Sequence, residues 1–376
     1  MNLTQNDITV KKPLVWLEIN KKNLLYNVKQ MKKLCGNKKI MAVLKANAYG
    51  LGGTGVAKII KDQVEAFGVV GINEALSLRN AGIRKPIINL GIYSSDDAEQ
   101  YIRKKISPNI FTYSALKNFE NTTKKYNKMA RVWIKVDTGL NRLGTSYQEA
   151  SSFIRSVSDS EYLKIEGVYS TLGEDQEYDK KQFERFYLVK EKCEKLGIRV
   201  PVWSIASSQA CFMYPEYGMD MLRLGISLLG YYPSKEAKNI NRAKLKPTAS
   251  FKTKVACVKE LNKGETVFYR KKYIAQQKTR IAVLLPGYSY GLDPRLVEKA
   301  KVLIRGKAFP LVGGISATNC FADIGTNEEI KTNDEVIIFG VQGNAEIKLE
   351  KICALLNQNE YEFLSRIPEK VQRIYV

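Results

Sequence analysis

The 376 residues predict an α/β protein: an eight-stranded parallel (β/α) barrel over residues 12–245, followed by a C-terminal all-β domain over residues 246–376. Three observations carry this. Eight short apolar runs alternate with helix-length amphipathic stretches between Lys39 and Leu229, and eight is the count at which parallel strands joined by helices close into a barrel. After about Leu245 the texture changes to short alternating segments separated by Gly, Asn and Asp turns, the signature of an all-β domain. The length suits two domains with substantial cores.

Leu14 to Ile19 alternates like a strand, and Asn20 is placed to cap a helix whose apolar face holds Leu24, Val28, Met31 and Leu34. The barrel runs are Ile40 to Leu44, Ala66 to Val70, Ile87 to Leu90, Asn109 to Thr112, Val132 to Val136, Lys164 to Tyr169, Val202 to Ile205 and Leu222 to Leu229. Stretches such as Glu74 to Asn80 and Lys181 to Leu196 carry apolar residues at helical spacing, with Gly82 and Gly197 as stops. The β segments are Phe251 to Val258, Ile281 to Leu285, Lys301 to Ile304, Ala308 to Val312 and Glu335 to Phe339. Residues 1–11 are expected to pack with this second domain.

Composition excludes whole mechanisms. There is no histidine, so a Ser-His-Asp triad, a Cys-His dyad, an H-E-x-x-H zinc helix and a histidine pH switch are impossible. Acid-base work near neutral pH falls to Lys, Tyr, Cys or a perturbed carboxylate. The six cysteines are dispersed, with no C-x-x-C pair; they read as free thiols in a reducing compartment, and no metal is expected. The given N-terminus has no apolar run of signal-peptide length and no segment long enough to span a bilayer, so a cytoplasmic protein without a membrane partner is expected. The net charge is +22. Its lysines are scattered rather than gathered into a basic tail or an aromatic-interleaved patch, so they read as a solvated surface and no nucleic-acid partner is expected.

In such a barrel the chemistry sits where strands end. After the first run comes Val43-Leu44-Lys45-Ala46-Asn47-Ala48-Tyr49-Gly50. Lys45 is either a snorkelling surface residue or a buried amine, and its apolar and small neighbours favour the second. A desolvated amine of lowered pKa can form a Schiff base with an aldehyde such as pyridoxal phosphate. After the fifth run, Arg142 follows a Gly-containing turn; it either forks a substrate carboxylate or pairs with an acid on the rim. Ser207 and Ser208 follow the seventh run, and Arg223-Leu224-Gly225-Ile226 lies on the eighth. The serines either bind phosphate or cap a helix.

The strings AVLKANAYGLG, VDTGLNRLG, MLRLGISLLG, PGYSYGLDPRL and NEYEFLSRIPEKVQRIYV stand in order from about residue 14 to the end. The chain thereby resembles the alanine racemase family of pyridoxal phosphate enzymes. The resemblance implies a homodimer with shared active sites, interconverting L- and D-alanine. Lys45 would carry the cofactor and act as base on one face of the substrate Cα, while Tyr288 of the partner subunit would serve the other face. Arg142 would lie near the substrate carboxylate, and Lys135 matches a lysine carbamylated in some members. Tyr49, Ser208, Gly225, Ile226 and Tyr361 would be cofactor contacts on the phosphate side, and Arg223 would face the pyridine nitrogen. Two opposed bases can return a proton with inverted configuration.

Two departures from the family pattern stand out. Thr171 and Ser204 occupy positions usually held by histidine, and Ser207 replaces an asparagine, so a polar relay must be rebuilt from hydroxyls or water. Ala317, expected at the substrate entrance, and Thr318 replace a Met-Asp pair, which widens the pocket and points to serine or a broader amino-acid range as the near alternative. A similar-barrel decarboxylase fits less well, because the chain is short for one and its phosphate motif is missing. From a different class, a cofactor-binding regulator that has lost catalysis is the alternative that the missing histidines support.

Overall fold

The structure, a computed structural model, describes residues Pro13–Val376. The chain divides into two compact units, the first of which spans Lys21–Thr248. The second combines the first strand with everything from Ala249 to Val376. The sequence reading counted the first strand with the barrel. It belongs instead to the β unit: Val15–Ile19 pairs antiparallel with Ala249–Leu261 and parallel with Gln372–Tyr375. The reason is long-range pairing, which no local pattern announces. The expectation for residues 1–11 lies outside the described residues.

In the barrel unit, Met221–Leu224, Lys39–Val43, Ala66–Val69 and Ile87–Asn89 form one parallel array. A second array contains Asn109–Ile110, Ala130–Asp137, Leu163–Tyr169 and Trp203–Ser204. Parallel bridges Ile88↔Ser107 and Ser207↔Arg223 join the two arrays on both sides and close the barrel. A short strand, Thr145–Ser146, adds to the carboxyl end of Ala130–Asp137.

The interior layer is Met41, Ala66, Ile88, Trp133, Tyr169, Val202 and Met221. Burying the larger of these side chains stabilises by about 1.5–3 kcal/mol each. Gly167 is required beside Trp133, since a Cβ there would stand 2.6 Å from the indole ring. The helices follow the apolar spacing: Lys21–Cys35 buries Leu24, Val28 and Met31, and Gln176–Lys195 buries Phe186, Val189 and Cys193. Gly82 and Gly197, both at positive φ, follow Ile72–Asn80 and Gln176–Lys195 where stops were expected.

The β unit is built on one nine-stranded sheet. Its path runs Lys307–Pro310, Lys301–Ile304, Glu335–Gln342, Ala249–Leu261, Val15–Ile19 and Gln372–Tyr375. Thr279–Leu284 pairs with both Ala249–Leu261 and Cys320–Gly325. Phe251 and Phe339 are buried where the long strands cross-pair.

Candidate active site

Lys45 stands at the carboxyl end of Lys39–Val43, but not as the buried amine the sequence favoured. It is open to solvent at the barrel mouth, with its Nζ 5.7 Å from the centre of the Tyr49 ring. Although the residue is exposed, partial desolvation of its amine, then Arg142, lowers its pKa, and Glu174 and Glu74 act the other way. The chain reaches Tyr49 through a left-handed turn: Ala46, Asn47, Ala48 and Tyr49 all have φ between 51° and 56°. Such residues cost about 1–2 kcal/mol each, so the turn must be held. Asn47 Oδ1 accepts from Gly53 N at 2.6 Å, and Asn47 N donates to Glu74 Oε1 at 3.0 Å. Backbone bonds from Ala48 N to Leu44 O and from Gly50 N to Ala46 O close it.

Tyr49 leads to the last barrel strand. That strand stops at Leu224 rather than running to Leu229, because Gly225 N turns to Ser208 Oγ at 3.2 Å. A Cβ on Gly225 would lie 2.5 Å from Tyr49 Oη, so glycine is what lets backbone and phenol meet. Ser208 also bonds Ser227 Oγ at 2.9 Å. The structure thus gathers Tyr49, Ser208 and Gly225, with buried Ile226 following. Ser207 sits at the N-cap of the Ser208–Met213 helix without capping it by its side chain.

Arg223 is buried and built in. Nη1 donates to Ser204 O and Ser204 Oγ at 3.0 and 2.9 Å. Nη2 donates to Ser170 O at 2.6 Å, with longer bonds to Ile205 O and Thr171 Oγ1 at 3.4 and 3.5 Å. Among the described residues its Nε makes no bond. Burial pulls its pKa down to about 10. Lys135 Nζ donates to the same Thr171 Oγ1 at 3.3 Å. Both cations lie over the face of buried Tyr169, at 5.1 and 4.9 Å from the ring centre, which offsets part of their repulsion. Burial, then Arg223 and Arg142, bring Lys135 down to about 7.

Thr171 and Ser204, where histidines were missed, are therefore working parts of a hydroxyl network. Ser170 Oγ extends it to Thr138 Oγ1 at 2.8 Å. The sequence reading overlooked Ser170, Thr138 and Tyr169; their signal is a polar or aromatic residue at the carboxyl end of a barrel strand. Arg142 is exposed on the loop where Asp137 Oδ1 accepts from Gly139 N and Asn141 N at 2.8 and 3.2 Å.

Lys45, Lys135, Arg142 and Arg223 lie close enough to influence one another electrostatically. Among the described residues, none of them is in an ion pair. Glu174, Glu74 and Asp137 act on it only at longer range, and a cationic cluster with no ion-pair partner favours a bound anion. A phosphate-bearing aldehyde whose ring carries an acceptor nitrogen fits what is here: an amine, a serine-glycine-tyrosine cradle, and a fixed guanidinium with one unbonded N–H.

In the β unit, Tyr288 is 56% exposed at the head of the turn Tyr288–Tyr290. Tyr288 N and Ser289 N donate to Ser316 O and Ala317 O at 2.9 and 3.0 Å. The structure therefore brings Tyr288 together with Ala317, and Thr318 follows on the exposed side. Tyr361 lies in the helix Glu360–Ser365 of the same unit.

Comparison with known proteins finds one family in both halves. Residues 19–233 match the alanine racemase N-terminal domain and residues 248–375 the alanine racemase C-terminal domain. The chain belongs to the alanine racemase family. It is 34% identical to alanine racemase 1 of Caldanaerobacter subterraneus subsp. tengcongensis over 94% of this chain and 92% of that protein. It is 33% identical to alanine racemase 2 of Bacillus subtilis over 96% of this chain and 94% of that one. The alanine racemase structure from Clostridium difficile 630 superposes with a TM-score of 0.92 at 31% identity, covering 97% of this chain and 96% of that one. A Bacillus anthracis alanine racemase with bound L-Ala-P gives 0.90 at 26% identity, covering 97% and 96%. As in the rest of the family, an N-terminal barrel precedes a C-terminal β domain. Among the described residues no helix is long and apolar enough to cross a membrane.

Proposed function

We propose that this member of the family is a pyridoxal phosphate-dependent alanine racemase acting as a homodimer. The observation that carries the reading is the unpaired cluster of Lys45, Lys135, Arg142 and Arg223 at the barrel mouth, beside the Tyr49, Ser208 and Gly225 cradle. Pyridoxal phosphate, when bound, supplies an electron-withdrawing ring that stabilises negative charge at the substrate Cα.

The side chains supply the rest. Lys45, its pKa lowered by partial desolvation and Arg142, is a nucleophilic amine that holds the cofactor and takes or returns the α proton on one face. Tyr288 of a second copy serves the opposite face, its exposed phenol being free to reach out of its own unit. Arg142 holds the substrate carboxylate. Ser208, Tyr49, Gly225 and Ile226 hold the phosphate, and the family resemblance adds Tyr361 as a contact. Arg223, locked by Ser204, Ser170 and Thr171, sets its charge against protonation of the ring nitrogen, which favours racemisation over competing chemistry. Lys135, with a pKa of about 7, is about half neutral at neutral pH. Its amine can add carbon dioxide with loss of a proton, placing a carbamate among the arginines. Ala317 lies beside the Tyr288 turn, at the substrate entrance.

The test is solvent deuterium incorporation into L- and D-alanine by the purified protein carrying its cofactor. Both enantiomers should exchange and interconvert. Tyr288→Phe should keep the cofactor's visible absorbance while exchange from one enantiomer falls by roughly 10²–10⁴-fold, the usual weight of a general base. Cofactor binding without exchange in the wild-type protein would instead identify a binding or regulatory protein.

A further inference from the structure

The helix Gln176–Lys195 contains two polar residues, Asp179 and Gln182, where its packing calls for apolar ones. Its buried face is Asp179, Gln182, Phe186, Val189 and Cys193, and Gln182 has no solvent exposure. A buried amide is retained only where its donors and acceptor are used. Here Oε1 accepts from Gly173 N at 2.7 Å, while Nε2 donates to Thr171 O at 3.3 Å and to Thr138 Oγ1 at 3.4 Å. The orientation is fixed, because a reversed amide would set two donors against each other at Gly173.

These partners belong to the two loops that carry the site. Thr138 opens the loop leading to Arg142, and its carbonyl is also held by Arg185 Nη1 at 2.9 Å. Thr171 is the residue whose hydroxyl accepts from both Lys135 and Arg223. Gly173 continues the Thr171 loop, where Asp179 Oδ1 takes the amides of Gly173 and Glu174 at 2.9 and 3.0 Å.

We infer that Gln182 is a positioning residue: one buried amide that registers the Arg142 loop against the Thr171 loop, and so sets the spacing of carboxylate holder, lysine and ring-facing arginine. The inference rests on the racemase reading and assigns a residue that acts only through others. An amide is suited to the place because Thr171 O can only accept and Gly173 N can only donate. A methionine of similar length satisfies neither, and an ionised glutamate satisfies Gly173 alone.

The test compares Gln182→Met, Gln182→Glu and Val189→Ala with the wild type, as full-length protein carrying its cofactor. Val189 shares the buried helix face and serves as a packing control. Amide hydrogen exchange should rise in residues 138–144 and 170–174 of both Gln182 variants but not of Val189→Ala. Per bound cofactor, KM for alanine should rise and kcat fall, together by roughly 10- to 100-fold in kcat/KM, the scale of a sub-ångström to 1 Å misplacement. Val189→Ala should lose Tm alone. A protonated glutamate regains one donor, so the activity of Gln182→Glu relative to wild type should climb as pH falls, whereas that of Gln182→Met should stay flat. Unchanged loop exchange and unchanged KM in Gln182→Met, with loss confined to Tm, would overturn the inference. A wild-type protein that does not racemise alanine would overturn the racemase reading itself, a result separate from the loop-exchange comparison.

Discussion

A cation placed among cations shows its cost most plainly at Lys135. Only 4% of it is exposed, and its pKa falls from 10.5 to about 7. Across that window the unfolded chain binds the proton that the native chain has shed, so this residue makes stability rise with pH between about 7 and 10.5. Below about 7 the penalty is constant. Lys135→Met should therefore be more stable than wild type at pH 7 by a few kcal/mol, since each tenfold loss of proton affinity on folding corresponds to about 1.4 kcal/mol. The advantage should shrink towards pH 10.5. Urea midpoints of the two proteins at a series of pH values test this; a difference constant from pH 7 to 10.5 would mean the amine is not perturbed. The cations themselves were legible, Lys45 and Arg142 from their places after barrel strands, Lys135 and the role of Arg223 from the family resemblance. Their hydroxyl partners were not, because Ser170 and Thr138 meet only when two distant strand ends are brought side by side.

Among the elements, the stretch after the first barrel strand differs most between reading and structure. The strand, the lysine and a tyrosine one turn later follow from the sequence, but the hand of that turn does not. Four consecutive non-glycine residues at positive φ oppose local preference and persist only because tertiary bonds over-determine them. Asn47 tolerates this conformation better than most residues and supplies the Gly53 acceptor. Asn47→Ala should lower stability by about 1–2 kcal/mol, the cost of an unmet buried donor, and should speed loss of cofactor during dialysis. A thermal melt and the residual visible absorbance measure the two effects; unchanged retention would show that the turn does not hold Lys45 and Tyr49 in place. The barrel was readable because parallel strands buried on both faces appear as unbroken apolar runs. The pairing of Val15–Ile19 with Gln372–Tyr375 was not, since it joins the two ends of the described chain.

For the whole molecule, the decisive question is whether one copy of the chain is sufficient. Lys45 and Tyr288 are carried by different units, and the proposed mechanism draws them from different subunits. Co-expression of Lys45→Ala with Tyr288→Phe separates the possibilities by counting sites. Each variant alone should be essentially inactive in racemisation. In a hybrid dimer, one site would combine both lesions, and the other would combine an intact Lys45 with an intact Tyr288 donated across the interface. Random assembly makes half of the dimers hybrid, each with one working site of two, so activity should recover to about a quarter of wild type. A tyrosine acting within its own chain gives no intact pairing in any dimer and therefore no recovery. Because both variants retain the hydroxyl network and the Gln182 tie, neither result can be attributed to loss of the site's internal scaffold.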